Sequence, residues 1–184
     1  MQISLVTSNL GKVKEFKVAL GDGIKVNHLK KEYKELRSDD NKEIAEESAK
    51  RLAKELKIPV VVEDSGLFIK ALKDFPGTCS SYIHKRVGLA GILKLMEGIQ
   101  DRTCYYRSAV SYCEPGKNPV SFVGEEKGKI SQEERGNHGF GHDSIFIPDG
   151  SDKAYGEMEN CETIKKFRKK AVLQLKEYLL KRSK

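Results

Sequence analysis

The chain has 184 residues, 38% hydrophobic and 33% charged, with a net charge of +7. That length suits one domain with a sizeable core, read as a single unit over 1–184. No run approaches the ~20 apolar residues of a membrane span, and Met1–Val6 lacks the basic start and apolar core of a secretory leader, so the expected location is cytoplasmic. The four cysteines (79, 104, 113 and 161) show no C-x-x-C spacing, which argues against a zinc site or a disulfide framework and for reduced thiols.

In chain order, Gln2–Val6 reads as a strand, residues 7–12 as a turn and Val13–Leu20 as a helix, with a short strand near Ile24–Leu29. Asn41–Leu56 places Ile44, Ala45, Ala49, Leu52, Ala53 and Leu56 on one helical face. Val60–Val62 is a buried strand running into Glu63-Asp64, followed by a Ser65-Gly66 turn. Ala90–Met96 is helical and Cys104–Cys113 alternates as a strand. Pro115–Pro119 is a hairpin loop leading to Val120–Gly124, which Lys127–Ile130 can extend. A Gly-rich loop over 136–148 precedes a terminal helix, Ile164–Leu180, with Phe167, Ala171, Leu175, Tyr178 and Leu179 inward. Helices and strands alternate at both ends around a central hairpin, which indicates an α/β fold with a mixed sheet.

Three constellations carry chemistry. Thr7-Ser8-Asn9-Leu10-Gly11-Lys12, between a strand and a helix, is either a phosphate-binding turn or an ordinary N-cap with a surface lysine. It is not a Walker A loop. Glu63 and Asp64, two adjacent carboxylates at the end of a buried strand, repel each other and resist desolvation. With Glu35 as a third acid they suit a hard cation such as Mg²⁺, and one of them could activate water. The alternative is a pair held by basic side chains. Gly139-Phe140-Gly141-His142-Asp143 offers a ring for stacking and a carboxylate for amino or ring N–H groups, which suits a nucleobase; the alternative is a core phenylalanine beside a turn. His142 and His138 have no third nitrogen or sulfur ligand nearby in sequence, so a metal is not expected there. The charge of +7 and the basic stretches Lys165–Lys170 and Lys181–Lys184 fit either a solvated basic surface or an anionic partner, a polyphosphate or a nucleic acid. No nucleic-acid-binding signature accompanies them, so nucleic acid is not the expected partner.

A phosphate turn, an acidic pair and a base-stacking loop together suggest a nucleotide hydrolase. The chain resembles the inosine triphosphate pyrophosphatase (Ham1-like) family in five ordered blocks. They are Thr7-Ser8-Asn9-x-x-Lys12-x-x-Glu15, Glu63-Asp64-Ser65-Gly66-Leu67, Phe75-Pro76-Gly77 with Ser80, Gly139–Phe146 and Glu157-Met158. The resemblance implies a two-lobed α/β fold, a long twisted mixed β-sheet flanked by helices with a nucleotide cleft between lobes, usually as a homodimer. It implies Mg²⁺-dependent hydrolysis of inosine and xanthosine triphosphates and their deoxy forms to monophosphate and pyrophosphate. Carried onto matching positions, Asp64 is the general base and a metal-site acid, with Glu35 and Glu63 as further metal ligands. Thr7, Ser8, Asn9, Lys12, Lys50 and Ser65 hold phosphates or sugar. Phe140, Gly141, His142 and Asp143 form the base loop.

One block departs from the pattern. The family's Ser-His-Arg motif is here Lys166-Phe167-Arg168, and Glu162 stands near the expected preceding lysine. Arg168 is retained as a base or phosphate contact. Lys165 or Lys166 can supply the missing charge, and Lys166 is taken with Arg168 as substrate-binding. Phe167 cannot donate the hydrogen bond that the family's histidine gives to the 6-keto oxygen. Two alternatives follow: a nucleotide pyrophosphatase of shifted or broadened base specificity, or a non-catalytic nucleotide- or RNA-binding protein.

Overall fold

The computed structural model describes residues 1–182. Seven strands and five helices are named here in chain order: β1 (Gln2–Val6), α1 (Leu10–Leu20), β2 (Lys25–Leu29), α2 (Asn41–Leu56), β3 (Val60–Ile69), β4 (Phe75–Gly77), α3 (Ser80–Leu95), β5 (Thr103–Cys113), β6 (Val120–Ile130), β7 (Phe146–Pro148), α4 (Cys161–Ile164) and α5 (Phe167–Arg182). The strands form one seven-stranded sheet in the order β2-β1-β3-β5-β6-β7, with β4 paired to β3. β1 runs parallel to β2 and β3, while the β3–β4 and β6–β7 pairs are antiparallel. The sheet is therefore mixed, as the alternation of elements predicts. Among the described residues no helix is long and apolar enough to cross a membrane.

The chain divides into two compact units, and the residues of β3, β5 and β6 are shared out between them. The first unit comprises 1–64, 108–124 and the terminal segment from Lys166. Its strands show the period of two that a doubly covered sheet demands. Leu5 and Val61 join Val13, Phe16 and Leu20 of α1 and Ala171, Val172 and Leu175 of α5 in one core. Val6, Val60 and Val62 point the other way, into Ala49, Leu52 and Ala53 of α2. α2 matches its predicted span; the Asp40 carboxylate accepts from the Lys42 amide at 2.9 Å to cap it, and Lys57 ends it with a left-handed φ of 57°.

The second unit comprises 65–107 and 125–165. Phe146 packs against Tyr106 and Tyr155, with ring centres 4.5 and 5.6 Å apart. The Ser80 hydroxyl accepts from the Leu67 amide at 2.8 Å and donates to the Gly77 carbonyl at 2.6 Å, tying the start of α3 to β3 and β4.

Three local expectations are corrected. Ser65-Gly66 is no turn: β3 runs straight through it to Ile69, so Glu63 and Asp64 lie mid-strand. Gly66 is required there because any Cβ would collide with the Gly77 carbonyl of β4, a close approach that resembles a turn signal in sequence. α1 begins at Leu10, not Val13, because Asn9 caps it. The terminal helix is two pieces: α4 stops at Ile164, Lys165 and Lys166 interrupt, and α5 starts at Phe167.

Candidate active site

The acidic centre lies in the first unit, where β3 passes between two helical layers. Glu63 is 3% exposed and Asp64 7%, yet the two carboxylates have opposite surroundings. Arg168 Nε lies 2.9 Å from Glu63 Oε1, Lys12 Nζ 2.8 Å from Oε2, and the Ser108 hydroxyl donates to Oε1 at 2.5 Å. Burial opposes ionisation of Glu63, but Arg168 and Lys12 overcome it and hold the carboxyl down at about 2. Arg168 is itself fully enclosed. Its other arm pairs with the buried Glu15 of α1, so one guanidinium bridges two carboxylates.

Asp64 has no such escort. The Asn41 amide donates to its Oδ2 at 2.5 Å, and burial, only partly offset by Lys12 and Asn41 and reinforced by Glu63 and Glu35, pushes its carboxyl up to about 7. Paired acids with divergent proton affinities are the signature of divided labour. Asn41 Oδ1 is buried and lacks a hydrogen-bond partner. It gives a hard, neutral oxygen beside Asp64. Glu35 is exposed on the irregular segment before α2 and acts on Asp64 through its charge. Among the described residues no three histidine, cysteine or acidic side chains gather as a ready metal cage. Asp64 and the Asn41 carbonyl oxygen are hard oxygen donors of the kind Mg²⁺ accepts when phosphate oxygens and water complete its shell.

The turn before α1 is built as a cap. The Thr7 hydroxyl accepts from the Asn9 amide at 3.1 Å, and the Asn9 side chain accepts from the Lys12 amide at 3.2 Å. Ser8 is exposed at its apex. Lys12 turns back, its ammonium also donating to the Glu63 carbonyl at 3.0 Å. Lys50 is directed elsewhere, donating to the Asn118 side chain at 3.4 Å on the hairpin loop.

The base-loop residues form a separate centre in the second unit. Asp143 Oδ2 accepts from the Phe140 amide at 2.7 Å and pairs with Lys165 Nζ at 2.6 Å, and Tyr106 donates to Oδ1 at 3.4 Å. The Lys165 ammonium also lies 4.3 Å from the centre of the Phe140 ring. Gly139, at φ 77°, faces the Asp143 carboxylate so closely that a Cβ would strike it. Gly141, at φ 66°, has open space around it, and His142 is buried.

Thus Glu63, Asp64, Lys12 and Arg168 come together, as do Phe140, Asp143 and Lys165. Arg168 is enclosed between Glu15 and Glu63 and pairs with both carboxylates. Lys165 engages the base loop, and Lys166 is exposed. Phe167 is buried, its ring under the Arg168 guanidinium with 4.8 Å between them. Sequence reasoning did not assign roles to Asn41, Glu15 or Ser108. Glu15 already stood in the opening motif, while Asn41 read only as the start of an amphipathic helix.

The sequence profile of the Ham1 family matches residues 3–178. A dITP/XTP pyrophosphatase of Methanopyrus kandleri is 47% identical over 166 residues, 88% of each chain. One from Pyrococcus horikoshii is 46% identical over 159 residues, 86% of this chain and 85% of that one. Among solved structures, a HAM1 protein from Coxiella burnetii superposes with a TM-score of 0.85 at 26% identity, covering 98% of this chain and 99% of the other.

Proposed function

The chain belongs to the Ham1 family, and from that premise we propose that it hydrolyses deaminated purine nucleoside triphosphates (ITP, dITP and XTP) to the monophosphate and pyrophosphate. The observation that carries the reading is the split between the two buried acids, Glu63 held ionised by Arg168 and Lys12, and Asp64 raised to about 7. A carboxylate with that proton affinity suits a general base at neutral pH.

In the proposed reaction Asp64 takes a proton from water as its oxygen bonds to the α-phosphorus. The bond from that phosphorus to the bridging oxygen breaks, and pyrophosphate departs with the bridging oxygen. Asn41, donating to Oδ2, fixes the orientation of the carboxylate. The N-terminus of α1, beside Thr7, Ser8 and Asn9, favours phosphate oxygens. Asp64, Glu35 and the Asn41 carbonyl oxygen would hold Mg²⁺, which when bound supplies neutralisation of phosphate charge. Glu63 is a structural counter-charge in this reading: its oxygens are engaged by Arg168, Ser108 and Lys12. In the second unit, Phe140 and the Asp143–Lys165 pair are assigned to the base. We assign the protein to the cytoplasm, as a homodimer that cleanses the nucleotide pool.

The test is pyrophosphate release with Mg²⁺ across inosine, xanthosine, guanosine, adenosine and pyrimidine triphosphates. Preference for the first two supports the proposal, and absence of turnover with every nucleotide overturns it. One observation favours a second reading, a broadened base preference: Phe167 is buried and offers no donor. Comparable turnover of adenosine and inosine triphosphates would establish it.

A further inference from the structure

The second unit contains two imidazoles that the phosphate chemistry does not use. His84 projects from α3 and His142 from the base loop, and their rings meet edge to face with centres 5.2 Å apart and planes at 66°. Each has a buried ring nitrogen with no hydrogen-bond partner, Nδ1 on His84 and Nε2 on His142. Buried polar atoms are ordinarily satisfied, so two orphans on adjacent rings call for an occupant. His142 is 4% exposed.

The spacing also fits. Two imidazoles bound to one tetrahedral ion at the usual metal–nitrogen length of about 2.0–2.1 Å place their ring centres about 5 Å apart. We propose that His84 and His142 form a two-histidine site for a borderline divalent transition metal of the Zn²⁺, Ni²⁺ or Cu²⁺ class, with water completing the coordination. Imidazole nitrogen selects this class over Mg²⁺, which takes oxygen donors. The site is therefore chemically separate from the Asp64 centre. It joins α3 to the loop that carries Phe140 and Asp143, so occupancy restrains that loop.

The experiment uses the full chain, stripped with a chelator and titrated with Zn²⁺ by calorimetry while excess Mg²⁺ saturates oxygen sites. The wild type is expected to bind one Zn²⁺. His84→Phe and His142→Gln each weaken that binding about tenfold or more, while His138→Ala does not. Independently of any variant, the electron paramagnetic resonance spectrum of the Cu²⁺-loaded wild type shows two equatorial nitrogens, falling to one in either substitution. Unchanged Zn²⁺ affinity in both variants, or a wild-type copper spectrum without two nitrogens, overturns the site. A copper spectrum that keeps two nitrogens only when His138 is present assigns the metal to the exposed histidine instead and also overturns it.

Discussion

Lys165 Nζ lies 2.6 Å from Asp143 Oδ2, with both side chains withdrawn from solvent, and the same ammonium covers the ring of Phe140. A buried pair of this kind is costly to halve, because the surviving charge keeps its desolvation penalty. Lys165→Met should destabilise the protein by about 3–5 kcal/mol, read from the urea midpoint. Adding Asp143→Asn should recover much of that loss, since both charges are then gone. In the soluble single variant, KM for inosine triphosphate should rise more than kcat falls, as expected for a residue that shapes the base loop rather than the reacting phosphate. Equal losses in the single and double variants would contradict the pairing.

Asp64→Asn separates catalysis from stability. The substitution removes the proposed base and should lower kcat by about 10²–10⁴-fold. Folding should not suffer. Asp64 is raised from 3.8 to about 7, so its contribution to stability is present below pH 3.8 and is lost as pH rises through 7. Near neutrality a neutral amide should therefore leave the metal-free protein as stable as the wild type or more so. Undiminished pyrophosphate release would remove Asp64 from the mechanism.

The same raised proton affinity couples metal to pH. Below about pH 7 a cation bound at Asp64 must displace a proton, so apparent Mg²⁺ affinity should fall as pH drops, approaching tenfold per unit. Calorimetry in buffers of different ionisation enthalpy should count close to one proton released near pH 6 and few near pH 8. Loss of Asn41 through Asn41→Ala should weaken Mg²⁺ binding at both pH values.

How far these features were legible in the chain depends on the range of the interaction. α2 and the alternating strands were readable because Ile44, Ala49 and Leu52, or Val60–Val62, state their burial within a few residues. Ser65-Gly66 misled because a glycine demanded by close strand contact carries the same letters as one demanded by a turn. The break before α5 was hidden by a helical pattern that continues across Lys165 and Lys166. The roles of the site residues were least visible. Arg168 meets Glu15 across 153 positions and Glu63 across 105, and no local pattern marks such a bridge. The acidic pair itself was conspicuous, but which acid was neutralised depended on that distant arginine.

The Arg168 bridge gives the last prediction. Glu63 is lowered from 4.5 to about 2, so the stability it contributes is fully present above pH 4.5 and is lost as pH falls through about 2. Arg168→Met removes the principal partner of Glu63 and an ion-pair partner of Glu15, leaving Glu63 with Lys12, at a cost of about 3–5 kcal/mol near neutrality. In the wild type that contribution fades as pH falls from 4.5 towards 2, whereas the variant has already lost the pairing that lowers Glu63, so the gap in stability between the two should narrow as pH falls. A double substitution, Arg168→Met with Glu63→Gln, should recover part of the neutral-pH loss. Chemical denaturation at pH 7, 5 and 3 measures all three proteins. A constant gap between wild type and Arg168→Met across that range would show that the bridge does not set the ionisation of Glu63.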